Sequence, residues 1–157
     1  MVNITDLVAN SFIFFNFQGL VLDLSFSRPL ENNPVVSNPP NGNPNQIWNA
    51  VASPFGDGNG LAFQTQVGPT YLSYSGAPDG FAEFAQTTVH ANIPVTLAAK
   101  QIGTGANFAF FEIVTNMSMT AWPVQGPALV TSPVTFEVYH GGPEQVWNLT
   151  QLTGPLG

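Results

Sequence analysis

Gly42-Asn43-Pro44-Asn45-Gln46-Ile47-Trp48 is echoed near the far end of the chain by Gly141-Gly142-Pro143-Glu144-Gln145-Val146-Trp147. Each Gln-x-Trp lies twelve residues past the proline of a Pro-Val-x tripeptide, Pro34-Val35-Val36 in the first case and Pro133-Val134-Thr135 in the second. A fixed offset between two separate motifs marks an internal repeat, and a repeat sets the architecture before local propensity is consulted. A third tripeptide, Pro94-Val95-Thr96, places by the same offset a worn copy at Ala106-Asn107-Phe108, with Phe108 where the Trp belongs. Three units are expected, over approximately 8–54, 55–110 and 111–157 of a single domain.

Within the units, 15 Gly and 14 Pro cut the chain into short segments rich in Phe, Val, Leu and Thr, the punctuation of many short strands. The segments read as strands are 12–17, 20–24, 34–37, 47–52, 61–67, 71–74, 95–99, 108–115, 117–122, 134–139 and 146–152. No window sustains a period near 3.6, and Lys, Glu and Arg, the usual helix fillers, are almost missing. The expected class is all-β. The uneven spacing of the three tripeptides assigns extra loop to the second unit at Ser75–His90 and a trimmed stretch to the third between Phe108 and Pro133. The Asn- and Pro-rich run from Asn32 to Asn45 is an ordered connection, since it keeps the twelve-residue offset.

At 157 residues the chain is of single-domain length and should bury roughly two-thirds of its unfolded surface. It has no cysteine, so disulfides, thiolate chemistry and Cys-based zinc sites are excluded. Arg28 and Lys100 are its only strong cations against nine acids, a net charge of −7. Two isolated cations cannot neutralise a run of phosphates, so nucleic acid and anionic membrane surfaces are poor partners. The apolar stretches are too short for a membrane-spanning helix. The N-terminus shows no basic start and no long apolar run, which predicts no secretory signal and a cytoplasmic protein, with non-classical secretion as the other route. The sequons at Asn3, Asn116 and Asn148 are then chance matches.

The Gln-x-Trp repeats, with Gly19-Leu20-Val21-Leu22-Asp23-Leu24 ahead of the first and Tyr139-His140-Gly141-Gly142 ahead of the last, resemble the ricin-B-type β-trefoil lectin family. Its mushroom members include lectins and the lectin-like light subunit of mushroom tyrosinase. The resemblance covers nearly the whole chain, strongly in units one and three and weakly in unit two. It implies a β-trefoil of pseudo-threefold symmetry, a six-stranded barrel capped by three hairpins, with Trp48, Phe108 and Trp147 in the shared core. A Trp brings a large apolar area whose indole N–H needs one partner, which suits one such residue per unit.

The same resemblance implies a shallow sugar site in unit one made by Asp23, Asn38 and Asn45, with Gln46 in support. A carboxylate accepts two adjacent hydroxyls, and an amide both donates and accepts. Unit three carries Met119-Thr120 in place of Leu-Asp and Glu144 in place of Asn, so any binding there runs through His140, Glu144 and Tyr139. Unit two, with Leu72-Ser73 and Ala106, is expected to have lost its site. The leading function is non-catalytic binding of a mono- or oligosaccharide of mannose or galactose type. The alternatives are a protein-interaction subunit that pairs with an enzyme, through exposed Phe residues or Trp122, and a protease inhibitor acting through the loop Ser75–Gln86. No cofactor or metal is expected. Gly56-Asp57-Gly58-Asn59-Gly60 lacks the acidic spacing of a calcium loop and reads as a hairpin turn. His90 and His140 are placed by no motif beside a nucleophile, and Glu137 with Glu144 carries no acid–base signal by spacing alone.

Overall fold

A computed structural model describes residues 4–53, 60–77, 81–125 and 130–152. The turn expected at 56–60 falls, apart from Gly60, outside the described residues. Twelve strands are described: β1 Ser11–Phe15, β2 Val21–Leu24, β3 Val35–Asn38, β4 Trp48–Ala52, β5 Leu61–Thr65, β6 Tyr71–Tyr74, β7 Ala85–His90, β8 Leu97–Gln101, β9 Asn107–Glu112, β10 Ser118–Ala121, β11 Ser132–Glu137 and β12 Trp147–Gln151. Among the described residues the α-helical structure is one short turn, Ile4–Leu7, and no described helix is long and apolar enough to cross a membrane.

The pairing closes a ring. Strand β1 pairs with β4, β4 with β5, β5 with β8, β8 with β9, β9 with β12, and β12 returns to β1, all antiparallel. This six-stranded barrel leaves no free edge among its members. Three hairpins, β2–β3, β6–β7 and β10–β11, cap one end. Strand β11 joins β3 and β7, and a bridge from Pro34 to Thr88 closes the triangle. The fold is the β-trefoil that the resemblance implied.

The threefold axis is occupied by one Phe from the first strand of each unit. Phe14, Phe63 and Phe110 are fully buried, with ring centroids 4.9, 5.3 and 5.6 Å apart. Two of the three pairs meet edge to face, the arrangement that ring quadrupoles favour. Two residues earlier, Phe12 faces Trp48, Leu61 faces Leu97 and Phe108 faces Trp147. Trp48, Leu97 and Trp147 open the last strand of each unit and are fully buried. The two indoles donate to backbone carbonyls of the hairpin strands, Trp48 to Leu22 at 3.1 Å and Trp147 to Met119 at 3.0 Å. In unit two the matching carbonyl, on Leu72, accepts the N–H of Val95 at 2.9 Å instead.

These registers correct the expected frame of unit two. Its Trp position is held by Leu97, so Val95-Thr96-Leu97 occupies the Gln-x-Trp place and Ala106-Asn107-Phe108 does not. Phe108 is buried, but it lies on the first strand of unit three, opposite Trp147. The third unit therefore begins between 101 and 107, and a boundary after 110 would cut through β9. The cause is the anchor: Pro94-Val95-Thr96 ends the connection that leads into β8, whereas Pro34 and Pro133 stand at the strands β3 and β11, so an offset counted from Pro94 lands in the next unit. That connection, 91–96, is also shorter than its counterparts 39–47 and 138–146. The segment read as extra loop, Ser75–His90, contains β7, paired along β6 and against β11.

Candidate functional site

The four residues expected to form the unit-one site converge on one carboxylate. Asp23, on β2, is 2 % exposed. A 3₁₀ turn at Pro44–Gln46, entered through the proline, turns the next two side chains back toward β2. Asn45 Nδ2 donates to Asp23 Oδ1 at 3.1 Å and to the Leu24 carbonyl at 3.3 Å. Gln46 Nε2 donates to Asp23 Oδ2 at 2.8 Å and to the Pro39 carbonyl at 2.9 Å, while its Oε1 accepts the Asn41 N–H at 2.8 Å. Asn38 Nδ2 adds a 3.3 Å bond to Oδ2, and Thr131, arriving from unit three, donates to Asn38 Oδ1 at 2.9 Å. Burial raises the Asp23 pKa above its ordinary value, and the bonds from Gln46, Asn38 and Asn45 oppose that rise. The cluster is closed: both carboxylate oxygens are engaged, and Asn38 with Thr131 forms its roof. One buried acceptor, Asn45 Oδ1, has no partner among the described residues.

Unit three keeps the scaffold of this cluster and changes its lining. Gln145 Nε2 donates to Thr120 Oγ1 at 3.1 Å and to the Val138 carbonyl at 3.0 Å, and its Oε1 accepts the His140 N–H at 2.9 Å. These bonds repeat those of Gln46, with Thr120 in the place of Asp23. The carboxylates have moved to the rim, where Glu137 and Glu144 hold the positions of Asn38 and Asn45. His140 Nε2 lies 2.8 Å from Glu144 Oε1, over a glycine: a Cβ at Gly142 would come within 2.5 Å of both side chains. Tyr139 turns away and packs its ring on Phe111 at 4.9 Å, so His140 and Glu144 come together and Tyr139 does not join them.

Here the surface is open. A cleft of about 380 Å³ is lined by Trp122, Phe17 and Phe84 together with Glu137, Glu144 and Thr120. Trp122 is 41 % exposed, and its indole N–H is anchored on Thr135 Oγ1 at 2.8 Å and Glu137 Oε2 at 3.1 Å. Phe84 is held at φ +68°, a strained setting for an aromatic residue, with its N–H on the Phe136 carbonyl at 2.8 Å. Sequence reasoning passed over Phe17, Phe84 and Glu137 as site residues, and gave Trp122 to a protein contact. The available signal was Trp122-Pro123, an aromatic set just past the Thr120 position and stopped there by proline.

Unit two has neither arrangement. Ser73, Pro94 and Val95 hold the places of Asp23, Asn45 and Gln46, and the corresponding cleft, about 490 Å³, is walled by Tyr74, Phe81, Ile93, Ile113 and Val114. Glu112 lies in that wall with its carboxylate turned on its own chain, accepting from the N–H groups of Val114 and Thr115 at 3.0 and 2.7 Å. His90 is tied to Glu31 at 3.0 Å, and its Nδ1 accepts the N–H groups of Asn92 and Ile93. Among the described residues no three His, Asp or Glu side chains are grouped as metal ligands. In the loop Ser75–Gln86, Ala85 and Gln86 belong to β7 and 78–80 lie outside the described residues.

No protein-family model matches the sequence, and no curated protein sequence does. Solved structures do match. The agglutinin of Rhizoctonia solani superposes with a TM-score of 0.78 at 19 % identity, covering 92 % of this chain and 96 % of that one. The Macrolepiota procera ricin B-like lectin, solved in complex with lactose, gives 0.73 at 20 % identity over 92 % and 97 %. A designed threefold-symmetric protein, ThreeFoil, gives 0.76 at 16 % identity over 90 % and 99 %. At these identities the likeness establishes a shared β-trefoil fold.

Proposed function

We propose that the protein is a non-catalytic, lectin-like saccharide-binding protein whose working surface is the unit-three cleft. One observation carries the reading. At the position symmetric to the Asp23 cluster lies an open cleft in which a half-exposed indole stands beside two glutamates. An aromatic face takes the C–H side of a sugar ring, and carboxylates accept its hydroxyls by charge-assisted bonds. The Macrolepiota lectin, bound to lactose on the same fold, supports the saccharide-binding part of this reading. At unit one, a hydroxyl reaches Asp23 by displacing the Asn38 amide, whose 3.3 Å bond is the longest of the three side-chain bonds to that carboxylate.

A glycan array followed by calorimetry tests the reading. Binding is expected in the native chain, lost in Trp122→Ala, and gained at a second locus in Asn38→Ala. Absence of binding to every sugar, by the native chain and by Asn38→Ala alike, sinks it.

A second reading, a protein-interaction subunit, is favoured by the unit-two cleft, where Pro94 and Val95 stand in place of Asn45 and Gln46 and the walls are largely apolar. Light scattering and co-purification of a larger subunit from the native source would decide for it.

A further inference from the structure

From the lining of the unit-three cleft we infer that its ligand is a cationic amino sugar, a hexosamine bearing a free protonated amine. The inference rests on the saccharide-binding reading above and names the class of saccharide.

Among its described residues the cleft offers acceptors and an aromatic wall, and no free side-chain donor. The Trp122 N–H is spent on Thr135 and Glu137, and the Thr120 hydroxyl donates to the Ser118 carbonyl at 2.9 Å. The Gln145 amide, which could have donated outward, is fully buried and bonded to Thr120 and Val138. On the acceptor side, Glu137 uses Oε2 for Trp122 and Thr135, and Glu144 uses Oε1 for His140. Glu137 Oε1 and Glu144 Oε2 are left without a partner among the described residues. Neither Arg28 nor Lys100 lines the cleft to balance these charges, on a chain of net charge −7.

A neutral sugar is best held by a group that donates and another that accepts, as the carboxylate and amides of unit one would do. Glu at both rim positions, with Thr120 in the place of Asp23, removes the donors and takes the carboxylates from one to two. The complementary ligand carries donors and positive charge: an ammonium supplies three N–H groups for two carboxylate oxygens and is drawn to the face of an indole. A quaternary ammonium would satisfy the ring but give the carboxylates nothing to accept, which favours the primary amine on a polyol. Anionic sugars are rejected by the same two charges.

The test compares a fully deacetylated glucosamine tetramer with its N-acetylated counterpart by calorimetry at neutral pH and low salt, with choline and a sialylated trisaccharide as controls. The deacetylated tetramer is expected to bind roughly tenfold or more tightly than the N-acetylated one. That margin should shrink as ionic strength rises toward about 0.3 M, where the Debye length falls to roughly 6 Å. Glu137→Gln and Glu144→Gln should each reduce the preference. Glu31→Gln, which changes net charge equally outside the cleft, should leave it intact; loss of the preference in Glu31→Gln as well would reduce it to bulk charge and overturn the inference. Equal binding of the two tetramers, abolished by Trp122→Ala, overturns the amine preference while the saccharide reading survives. Binding of choline as tight as the glucosamine tetramer also overturns it. No binding of any sugar removes both readings together. Circular dichroism of each variant confirms that a lost signal reflects the site and not the fold.

Discussion

Replacing Trp48 by leucine transplants into unit one the side chain that unit two already uses at the same position, Leu97. The naive expectation is tolerance, because the fold closes around a leucine elsewhere. The hydrogen bonds argue otherwise. In unit two the carbonyl below this position, on Leu72, is satisfied by the Val95 N–H at 2.9 Å. In unit one the matching carbonyl, on Leu22, depends on the Trp48 indole at 3.1 Å. The residue in the place of Val95 is Gln46, whose own N–H is committed to the Asn43 carbonyl at 3.0 Å within the 3₁₀ turn. It cannot be redirected without unwinding that turn.

Trp48→Leu therefore combines two losses. Removing roughly 60 Å³ of side chain at ~24 cal/mol per Å³ of cavity gives about 1.5 kcal/mol, with about 1 kcal/mol more for lost apolar transfer. Orphaning a buried carbonyl adds on the order of 1–3 kcal/mol. The expected total is about 4 kcal/mol, a large share of the ~5–15 kcal/mol that holds a typical domain. With a urea slope near 2 kcal/mol/M the midpoint falls by about 2 M at unchanged slope, read by circular dichroism since the mutation removes a fluorophore. Trp48→Phe, which loses the same N–H but less volume, should lie only about 1 kcal/mol above Trp48→Leu. A loss at or below about 2.5 kcal/mol for Trp48→Leu would refute the reasoning, because cavity and transfer together would account for it.

Phe63→Ala empties one third of the axial ring cluster and should destabilise by about 3–5 kcal/mol in the same titration, with Phe14→Ala and Phe110→Ala alike. Asp23 gives a pH signature: its folded pKa is raised by burial above the ordinary 3.8, so the folded state holds the proton longer, and the stability this contributes at low pH is lost as pH climbs through the raised value. The urea midpoint of the native chain minus that of Asp23→Asn should accordingly fall across that window, and a rising difference would contradict the assignment. Gly142→Ala should separate His140 from Glu144, since its Cβ would lie 2.5 Å from each, yet move the melting midpoint little, because an exposed pair is worth about 0–1 kcal/mol and φ there is −77°. Its readout is altered sugar affinity in calorimetry with an unchanged melt.

The barrel was legible from units one and three because their Gln-x-Trp motifs make bonds that no other local geometry serves. Gln46 and Gln145 each clamp a loop carbonyl and a loop N–H, and each Trp seals a hairpin carbonyl. Unit two carries no such marker: Val95 and Leu97 do the same structural work with a backbone N–H and an aliphatic side chain, and its connection is three residues shorter. Strand β7 escaped notice for a related reason, since Gln86-Thr87-Thr88 reads as polar although Thr87 and Thr88 are buried beneath the cap. Asp23, Asn45 and Gln46 were readable as a set, but the roof that Asn38 and Thr131 place over them depends on the pairing of β3 with β11. The unit-three cleft joins Phe17, Phe84 and Trp122, residues whose proximity no spacing encodes.

The three symmetric positions separate what holds a loop from what a ligand meets. In units one and three the clamping residue is the same, Gln46 or Gln145, with the same loop partners, while the residues around it differ: Asn38 and Asn45 in one, Glu137 and Glu144 in the other. In unit three the Gln145 clamp is complete without Glu137 and Glu144, so that pair can change charge with little effect on the fold. Unit two extends the argument, for there the clamp itself is gone and the Val95 N–H closes the hairpin carbonyl over a shorter loop. A closed polar cluster, an apolar cleft and an aromatic-acidic cleft can then sit on one barrel without competing for its stability. On the proposed reading, the rim of unit three is the place to alter binding, and the Trp48 and Trp147 positions are the place to alter folding.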